Sequence, residues 1–217
     1  MSTAHAPLPP PPTTTPGSLP TATLTRLLEA AHFAAVAHNQ QRRKSAAQPA
    51  YIQHPLHVAL LLASPESSLY PDPPVEILQA AVLHDTIEDT DVTARDLEQK
   101  FGKDVTRIVL ECSDDKHQNK AQRKQAQIDS AAHKSDAAKH VKLADKLSNL
   151  RDLMSPEGRP SGWSVERIQE YFVWAKKVTD RCRSVNPGLG QELETIYRDG
   201  EFEHGGKTYR CHPAYSA

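Results

Sequence analysis

Apolar residues recur at intervals of three and four over most of the chain, which is the period of an amphipathic helix. The first segment of this kind contains Leu24, Leu27 and Leu28, and Thr21 or Thr23 can cap its start. Further segments with the same period are predicted to be helices: Pro55–Leu62, Pro74–Leu83, Thr93–Phe101, Val105–Val109, Lys139–Asp152, Ser164 to about Arg181 and about Gly190 to Tyr197. No stretch alternates in the manner of a β-strand, so the pattern predicts an all-α fold, a single helical bundle.

The two ends of the chain lack this pattern. Residues 1–20 are rich in proline and threonine, a composition that cannot bury a core and predicts a disordered leader. Residues 201–217 are predicted to form a polar C-terminal tail. The remaining residues, 21–200, are enough for one domain with a hydrophobic core.

Composition excludes several classes of partner. The chain has 217 residues and a formal net charge of −1, so bulk electrostatics does not attract it to nucleic acid or a membrane. Its three cysteines lack C-x-x-C spacing, which is typical of reduced thiols in a cytoplasmic protein. No apolar run has the length of a membrane span, and the first residues lack the charged and apolar segments expected of a secretory signal. The sequence predicts a cytoplasmic protein and points to no protein partner.

A group of ionisable residues ends the most apolar predicted helix. If that helix continues past Leu83, then Glu88 lies four residues after His84 and Asp89 four after Asp85, so each pair shares a face. Such crowding is costly unless a cation or a shared proton relieves it. The alternative is an acidic helix end in water. The apolar residues that lead directly into His84 favour a metal site instead.

Two other segments offer candidate metal ligands. His54 precedes Pro55, which favours a helix start at that point, and His57 is a weaker competitor one turn later. Asp145 lies on a helix face flanked by apolar residues, and a buried aspartate must be paired, protonated or metal-bound. The alternative for Asp145 is a surface ion pair with Lys142, which contributes little stability.

A basic cluster, Arg42-Arg43-Lys44, follows the first predicted helix. It fits an anionic ligand and the negative end of a helix dipole about equally well. A polar stretch near residues 113–127 adds Lys116, Arg123 and Lys124, which can reach a phosphate or simply face solvent.

Four motifs, in order, resemble the HD superfamily of metal-dependent phosphohydrolases. The likeness is greatest to the hydrolase domain of RelA/SpoT proteins and to stand-alone SpoT homologues first known from animals. It extends from about Leu27 to about Glu201. The motifs are Arg42-Arg43-Lys44, Tyr51-Ile52-Gln53-His54-Pro55, Leu83-His84-Asp85-Thr86-Ile87-Glu88-Asp89-Thr90 and Lys142-Leu143-Ala144-Asp145-Lys146-Leu147-Ser148-Asn149-Leu150.

This resemblance implies a role for each motif. It implies four ligands for one Mn²⁺: His54, His84, Asp85 and Asp145. It implies two catalytic carboxylates, Glu88 and Asp89. It also implies three contacts to a small-molecule nucleotide substrate: Arg43 and Lys44 to base and phosphates, and Asn149 to the ribose region. Imidazole and carboxylate ligands without a thiolate suit a borderline-to-hard divalent ion such as Mn²⁺.

The family's reaction is removal of the 3′-pyrophosphate of (p)ppGpp, guanosine tetra- or pentaphosphate, which gives GDP or GTP and pyrophosphate. Some stand-alone members also remove the 2′-phosphate of NADPH. Two alternatives remain open: a catalytically silent nucleotide-binding regulatory module, and an HD phosphohydrolase of another nucleotide. Intact Glu88 and Asp89 argue against the silent module.

Overall fold

The computed structural model describes residues 21–215. The elements are α1 (Thr21–Ala37), α2 (Gln53–Ala63), α3 (Val75–Leu83), α4 (Thr86–Asp89), α5 (Ala94–Cys112), α6 (Lys120–Ser130), α7 (Asp136–Met154), α8 (Val165–Thr179), α9 (Pro187–Asp199), β1 (Glu201–His204) and β2 (Lys207–Arg210). The predicted all-α class is confirmed, with one short hairpin added. The predicted leader lies outside the described residues, and the boundary between leader and domain stays a prediction.

Helix α3 lies at the centre of the bundle. It packs against α1, α2, α5 and α7, and every residue from Ile77 to Leu83 is buried. A helix that is apolar on all sides must be covered on all sides, which is why it takes this position. Its C-terminal end, where His84 begins the ionisable group, is therefore held inside the core.

Helix α7 is the second central element, and it contacts α2, α3, α5, α8 and α9. The hydroxyl of Ser135 caps its start by accepting a hydrogen bond from the Ala138 amide. The buried side includes not only Leu143 and Leu147 but also Asp145, at 7% exposure. The polar side chains of α7 thus enter the interior beside the end of α3.

Helix α5 begins and bends where the sequence predicts. Thr93 and Asp96 form a reciprocal capping box. Gly102 has a φ of 84°, a left-handed conformation that glycine adopts at little cost, and it separates two helical segments. No helix within residues 21–215 has the length and apolar character needed to cross a membrane.

The segment after Gly200 corrects the expectation of a polar tail without strands. β1 and β2 pair antiparallel, with Phe202 opposite Tyr209. Gly205 and Gly206 form the connection with φ values of 58° and 75°, which a tight two-residue hairpin requires. Phe202 is 2% exposed and joins the core. Strands of four residues are too short to show an alternating pattern clearly, although the Gly205-Gly206 pair is typical of a hairpin turn.

Candidate metal centre and nucleotide cleft

The chain turns at His84 and Asp85 and does not continue as one regular helix. α3 ends at Leu83, α4 begins at Thr86, and the Thr86 hydroxyl donates to the Leu83 carbonyl at 2.7 Å. The predicted helix thus ends at the His84-Asp85 pair, and the condition that it continues past Leu83 as one helix is not met. The turn directs His84 and Asp85 toward α2 and α7, while Glu88 lies one turn further along.

The structure brings the four predicted ligands together. Ligand atoms of His54, His84 and Asp85 all lie within 4.8 Å of one another. His84 Nε2 is 3.1 Å from Asp85 Oδ2. His54 Nε2 is 3.2 Å from Asp145 Oδ1, which is also 3.8 Å from His84 Nε2. Two helices, α2 and α7, and the turn between α3 and α4 thus contribute to a single cluster.

The hydrogen bonds of the two imidazoles direct one nitrogen of each ring into the cluster. His84 Nδ1 lies 2.8 Å from the Ala81 carbonyl, which can only accept, so Nδ1 carries the proton. Its Nε2 is buried and has no hydrogen-bond partner within residues 21–215. His54 Nδ1 lies 3.0 Å from the Ser148 hydroxyl. Both Nε2 atoms therefore point into the cluster, as in many protein metal sites. Burial would lower the pKa of His84, but Asp85 and Asp145 raise it well above its usual value, so a metal that binds there displaces the proton on Nε2.

The two carboxylates of the cluster are held by neighbouring donors. The Tyr51 hydroxyl donates to Asp85 Oδ2 at 2.7 Å. Lys146 Nζ donates to Asp145 Oδ2 at 2.9 Å, and the Asn149 amide donates to Asp145 Oδ1 at 2.7 Å. Each carboxylate is thus oriented before any cation binds.

The charges within the cluster oppose the effect of burial. Burial alone would raise the pKa of Asp85, but the charge of His84, whose Nε2 lies 3.1 Å from Asp85 Oδ2, holds that pKa below its usual value in the metal-free protein. Burial would likewise raise the pKa of Asp145, which Lys146 and the imidazoles hold well below its usual value. Both groups are therefore carboxylates at neutral pH. The set of two imidazoles and two carboxylates fits a divalent cation.

Ser148 joins the ligand His54 to a second imidazole. The Ser148 hydroxyl lies 3.0 Å from His54 Nδ1 and 3.0 Å from His57 Nδ1. Burial and the charge of Arg151 lower the pKa of His57, which keeps that ring neutral and able to accept. The hydroxyl can then donate to His57 and accept the proton of His54 Nδ1. His57 therefore supports the cluster from outside and does not enter it.

Ser148→Ala is expected to weaken divalent-metal binding by about 10- to 100-fold, because His54 loses the group that fixes its orientation. Calorimetric titration of metal into stripped protein measures this. Ser67→Ala is a matched control, since Ser67 is also buried and hydrogen-bonded, but to Asn186. Equal metal affinity in Ser148→Ala and wild type would refute the role given to Ser148.

The two predicted catalytic carboxylates lie beside the cluster and have their own partners. Glu88 Oε2 accepts a hydrogen bond from the Asp114 amide at 3.1 Å. Asp89 is exposed, and its Oδ2 accepts from Gln41 Nε2 at 2.8 Å. Gln41 Oε1 lies 2.6 Å from Nδ1 of His38, which is buried. Both carboxylates therefore have hydrogen-bond partners that position them at the cleft, and they lie outside the group of candidate ligand atoms formed by His54, His84 and Asp85.

Burial raises the pKa of Glu88, and the charges of Asp114, Asp85 and Asp89 add to the increase, partly opposed by the Asp114 amide. The folded protein therefore binds this proton more tightly than the unfolded chain does. Stability consequently falls as pH rises from the pKa of an ordinary glutamate through the raised pKa of Glu88.

Glu88→Gln is expected to stabilise the metal-free protein above that range, by up to about 1 kcal/mol after allowance for solvent screening. Below the range, where Glu88 is protonated in both states, no difference is expected. Urea unfolding between about pH 4 and pH 8 in chelator measures the effect. Glu98→Gln, which alters an exposed carboxylate on α5, is the control. A constant difference at all pH values would contradict this account.

A cleft of about 680 Å³ opens beside Glu88 and Asp89. Its basic side chains include Arg43, Lys44, Lys120, Arg123, Lys124 and Arg167. Its aromatic side chains are Tyr51, Trp163, Tyr171 and Trp174. The Arg167 guanidinium carbon lies 4.4 Å from the centroid of the Trp163 ring system. Cations that bind phosphate and rings that stack on a base thus face the same space.

The three predicted substrate contacts all line this cleft. Lys44 is exposed. Arg43 donates to Asn149 Oδ1 at 3.1 Å and to Asp152 Oδ2 at 2.5 Å. Asn149 therefore connects Arg43 to the candidate ligand Asp145. Its contact to ribose stays a prediction.

Sequence reasoning assigned no role to several residues that the structure places at the site. The role of Tyr51 could have been inferred, because it precedes His54 by three residues, and two residues at that spacing lie on the same face of a helical turn. Nothing in the sequence indicated the role of Lys146, because a lysine adjacent to an aspartate usually points to solvent. Trp163 and Arg167 come from a distant segment. Lys116, a candidate for phosphate contact, lines a neighbouring open cleft, beside Asp91 and Asp96, which shares Glu88 and Asp89 with the first.

Comparisons with known proteins extend this picture. Residues 30–170 match the family described as HD domain. A Xenopus tropicalis protein named guanosine-3′,5′-bis(diphosphate) 3′-pyrophosphohydrolase MESH1 is 49% identical over 173 residues, 80% of this chain and 93% of that protein. The human protein of that name is 47% identical over 173 residues, with the same coverage of 80% and 93%.

A solved structure described as a metazoan ortholog of SpoT that hydrolyses ppGpp superposes with a TM-score of 0.74 and 41% identity. The match covers 86% of this chain and 97% of that one. The predicted resemblance to stand-alone SpoT homologues is confirmed. The matched residues 30–170 contain every side chain of the buried cluster and both carboxylates beside it.

Proposed function

The chain belongs to the HD-domain family, and we propose that it removes the 3′-pyrophosphate of guanosine tetra- or pentaphosphate, releasing pyrophosphate and GDP or GTP. One observation carries the proposal. Two carboxylates, Glu88 and Asp89, line a basic, aromatic cleft beside a cluster of candidate metal ligands. Relatives at 47–49% identity have names that state this activity.

We propose that His54, His84, Asp85 and Asp145 hold one Mn²⁺. The donor set supports this choice, since it offers imidazole nitrogen and carboxylate oxygen and no sulfur. When bound, such an ion acts as a Lewis acid toward a phosphate oxygen and lowers the pKa of a water. Tyr51, Lys146 and Ser148 keep the ligands in place, so little rearrangement is needed on binding.

Glu88 is the better placed of the two carboxylates for moving a proton. Its raised pKa brings it closer to the operating pH, which makes proton transfer in either direction easier. The Asp114 amide fixes one of its oxygens. In this proposal Glu88 takes a proton from the attacking water or returns one to the leaving oxygen. Asp89, held by Gln41, orients the water.

The cleft provides the binding energy for a highly charged nucleotide. Lys44 and the basic residues of α6, Lys120, Arg123 and Lys124, balance phosphate charge. Trp163 and Tyr171 offer rings on which a base can stack. These contacts accept phosphates and bases of several nucleotides, so the same centre would also serve the second proposed activity, removal of the 2′-phosphate of NADPH.

Turnover of three substrates side by side tests the proposal: guanosine 3′,5′-bis(diphosphate), NADPH and GTP. Release of pyrophosphate and GDP from the first is the expected result. Release of phosphate from NADPH, with no turnover of the other two, would identify NADPH as the substrate and leave the proposed metal centre unchanged. Turnover of GTP alone would indicate an HD phosphohydrolase of ordinary nucleotides. Binding of all three without turnover would indicate a regulatory module.

A further inference from the structure

The C-terminal hairpin contacts the loop that joins α7 to α8, residues 155–164, here called the α7–α8 loop. This loop carries Trp163, which lines the cleft. The hairpin itself, residues 201–210, lies beyond the residues that match the HD family, 30–170. It is therefore an element of this chain whose purpose the family match does not explain.

One contact joins β1 directly to the aromatic wall of the cleft. His204 Nε2 lies 3.1 Å from the backbone carbonyl of Trp163. A carbonyl can only accept, so His204 Nε2 carries the proton and donates it. The bond fixes the backbone of Trp163, and thereby the position of its ring beside the Arg167 guanidinium.

Arg159 makes the second connection. Its Nη1 donates to the Glu203 carbonyl at 2.7 Å, and its guanidinium carbon lies 5.1 Å from the centroid of the Phe202 ring. Its other nitrogens donate to the carbonyls of Leu153 at 2.9 Å and Met154 at 3.2 Å, at the end of α7. One side chain thus joins the hairpin, the α7–α8 loop and α7.

The opposite side of the α7–α8 loop holds the basic segment of the cleft. The Ser161 amide donates to the Lys44 carbonyl at 2.9 Å. Pro160 and Ser45 form an antiparallel bridge, and Ser45 is buried. A continuous series of contacts therefore extends from the hairpin, through the loop, to the backbone of Lys44.

The hairpin is anchored well enough to serve as a support. Phe202 and Cys211 are 2% and 0% exposed, and the Phe202 and Tyr209 rings stack with centroids 5.8 Å apart. Gln169 on α8 donates to the Arg210 carbonyl at 2.9 Å, which ties the second strand to the helix that carries Arg167.

We propose that the hairpin is a substrate-positioning element: through His204 and Arg159 it fixes the α7–α8 loop, and so places Trp163 and Lys44 to bind the base and phosphates of a nucleotide. The role of these two residues as nucleotide contacts rests on the proposed function. The positioning of Trp163 by His204 does not, so the two claims can be tested separately.

His204→Ala tests the proposal, with His204→Gln, which keeps a donor, and Thr208→Ala, an exposed residue of β2, as comparisons. In His204→Ala the KM for guanosine 3′,5′-bis(diphosphate) is expected to rise by about three- to tenfold, the effect of one hydrogen bond, with kcat and metal content unchanged. His204→Gln should restore most of the lost affinity, and Thr208→Ala should match wild type. A general loss of structure would lower kcat and metal content as well.

A second measurement needs no substrate. The chain has two tryptophans, Trp163 and Trp174. In a Trp174→Phe background, the tryptophan fluorescence therefore comes from Trp163 alone. His204→Ala is expected to increase quenching of Trp163 by acrylamide, and His204→Gln is not. If wild type turns over no nucleotide but quenching rises, the proposed function fails and the support of Trp163 by His204 stands. An unchanged KM in His204→Ala, with active wild type, overturns the inference whatever the quenching shows. Unchanged quenching overturns it as well.

Discussion

Asp85→Ala is expected to abolish both metal binding and turnover. Asp85 is the carboxylate that lies closest to His84 Nε2, at 3.1 Å, and the hydroxyl of Tyr51 holds it in place. Its loss removes a negative charge and one of four donor groups from the cluster. Because a catalytic metal contributes several kcal/mol to transition-state stabilisation, turnover should fall by at least about 10³-fold.

Elemental analysis of the purified variant, together with its initial rate, measures both effects. Asp104→Ala, which removes an exposed aspartate on α5, is the matched control and should keep metal and rate. Circular dichroism identifies any loss of helix that would make the comparison invalid. Full metal content and full rate in Asp85→Ala would show that the proposed centre is wrong.

Glu88→Ala is expected to lose turnover while it keeps its metal. Glu88 lies outside the cluster of proposed ligands, and its carboxylate accepts from the Asp114 amide. Removal of a general acid or base costs typically about 10²- to 10⁴-fold in rate. The metal content should remain that of wild type, because no proposed ligand and no hydrogen bond to a ligand is removed.

The same two measurements, metal content and rate, distinguish this variant from Asp85→Ala. Glu98→Ala on α5 is the control for loss of a carboxylate far from the cleft. Loss of metal in Glu88→Ala would place Glu88 among the ligands. A rate close to wild type would remove it from the catalytic role and leave Asp89 as the remaining candidate.

Much of the fold could be predicted from local signals. The central position of α3 follows from its apolar residues on every side. The start of α5 follows from the Thr93 capping box, and its bend from Gly102. The meeting of His54, His84, Asp85 and Asp145 rested on the resemblance, since spacing along the chain does not determine which helices approach one another.

The remaining features depend on contacts between distant segments. The turn at His84 and Asp85 breaks a pattern that periodicity alone would continue. Lys146 has a long flexible side chain, yet its Nζ folds back to Oδ2 of the adjacent Asp145, at 2.9 Å. Trp163 enters the cleft because a loop that the hairpin supports carries it there. No local propensity encodes such an arrangement.

We expect the His/Asp cluster to hydrolyse a nucleotide only when it holds a divalent ion. The direct measurement is product release from guanosine 3′,5′-bis(diphosphate) by metal-stripped protein, with and without added Mn²⁺ and with NADPH in a parallel tube. We expect pyrophosphate and GDP only in the tube with metal. Two results would contradict this expectation: no product from either substrate although metal is shown to be bound, or equal release of product with and without metal.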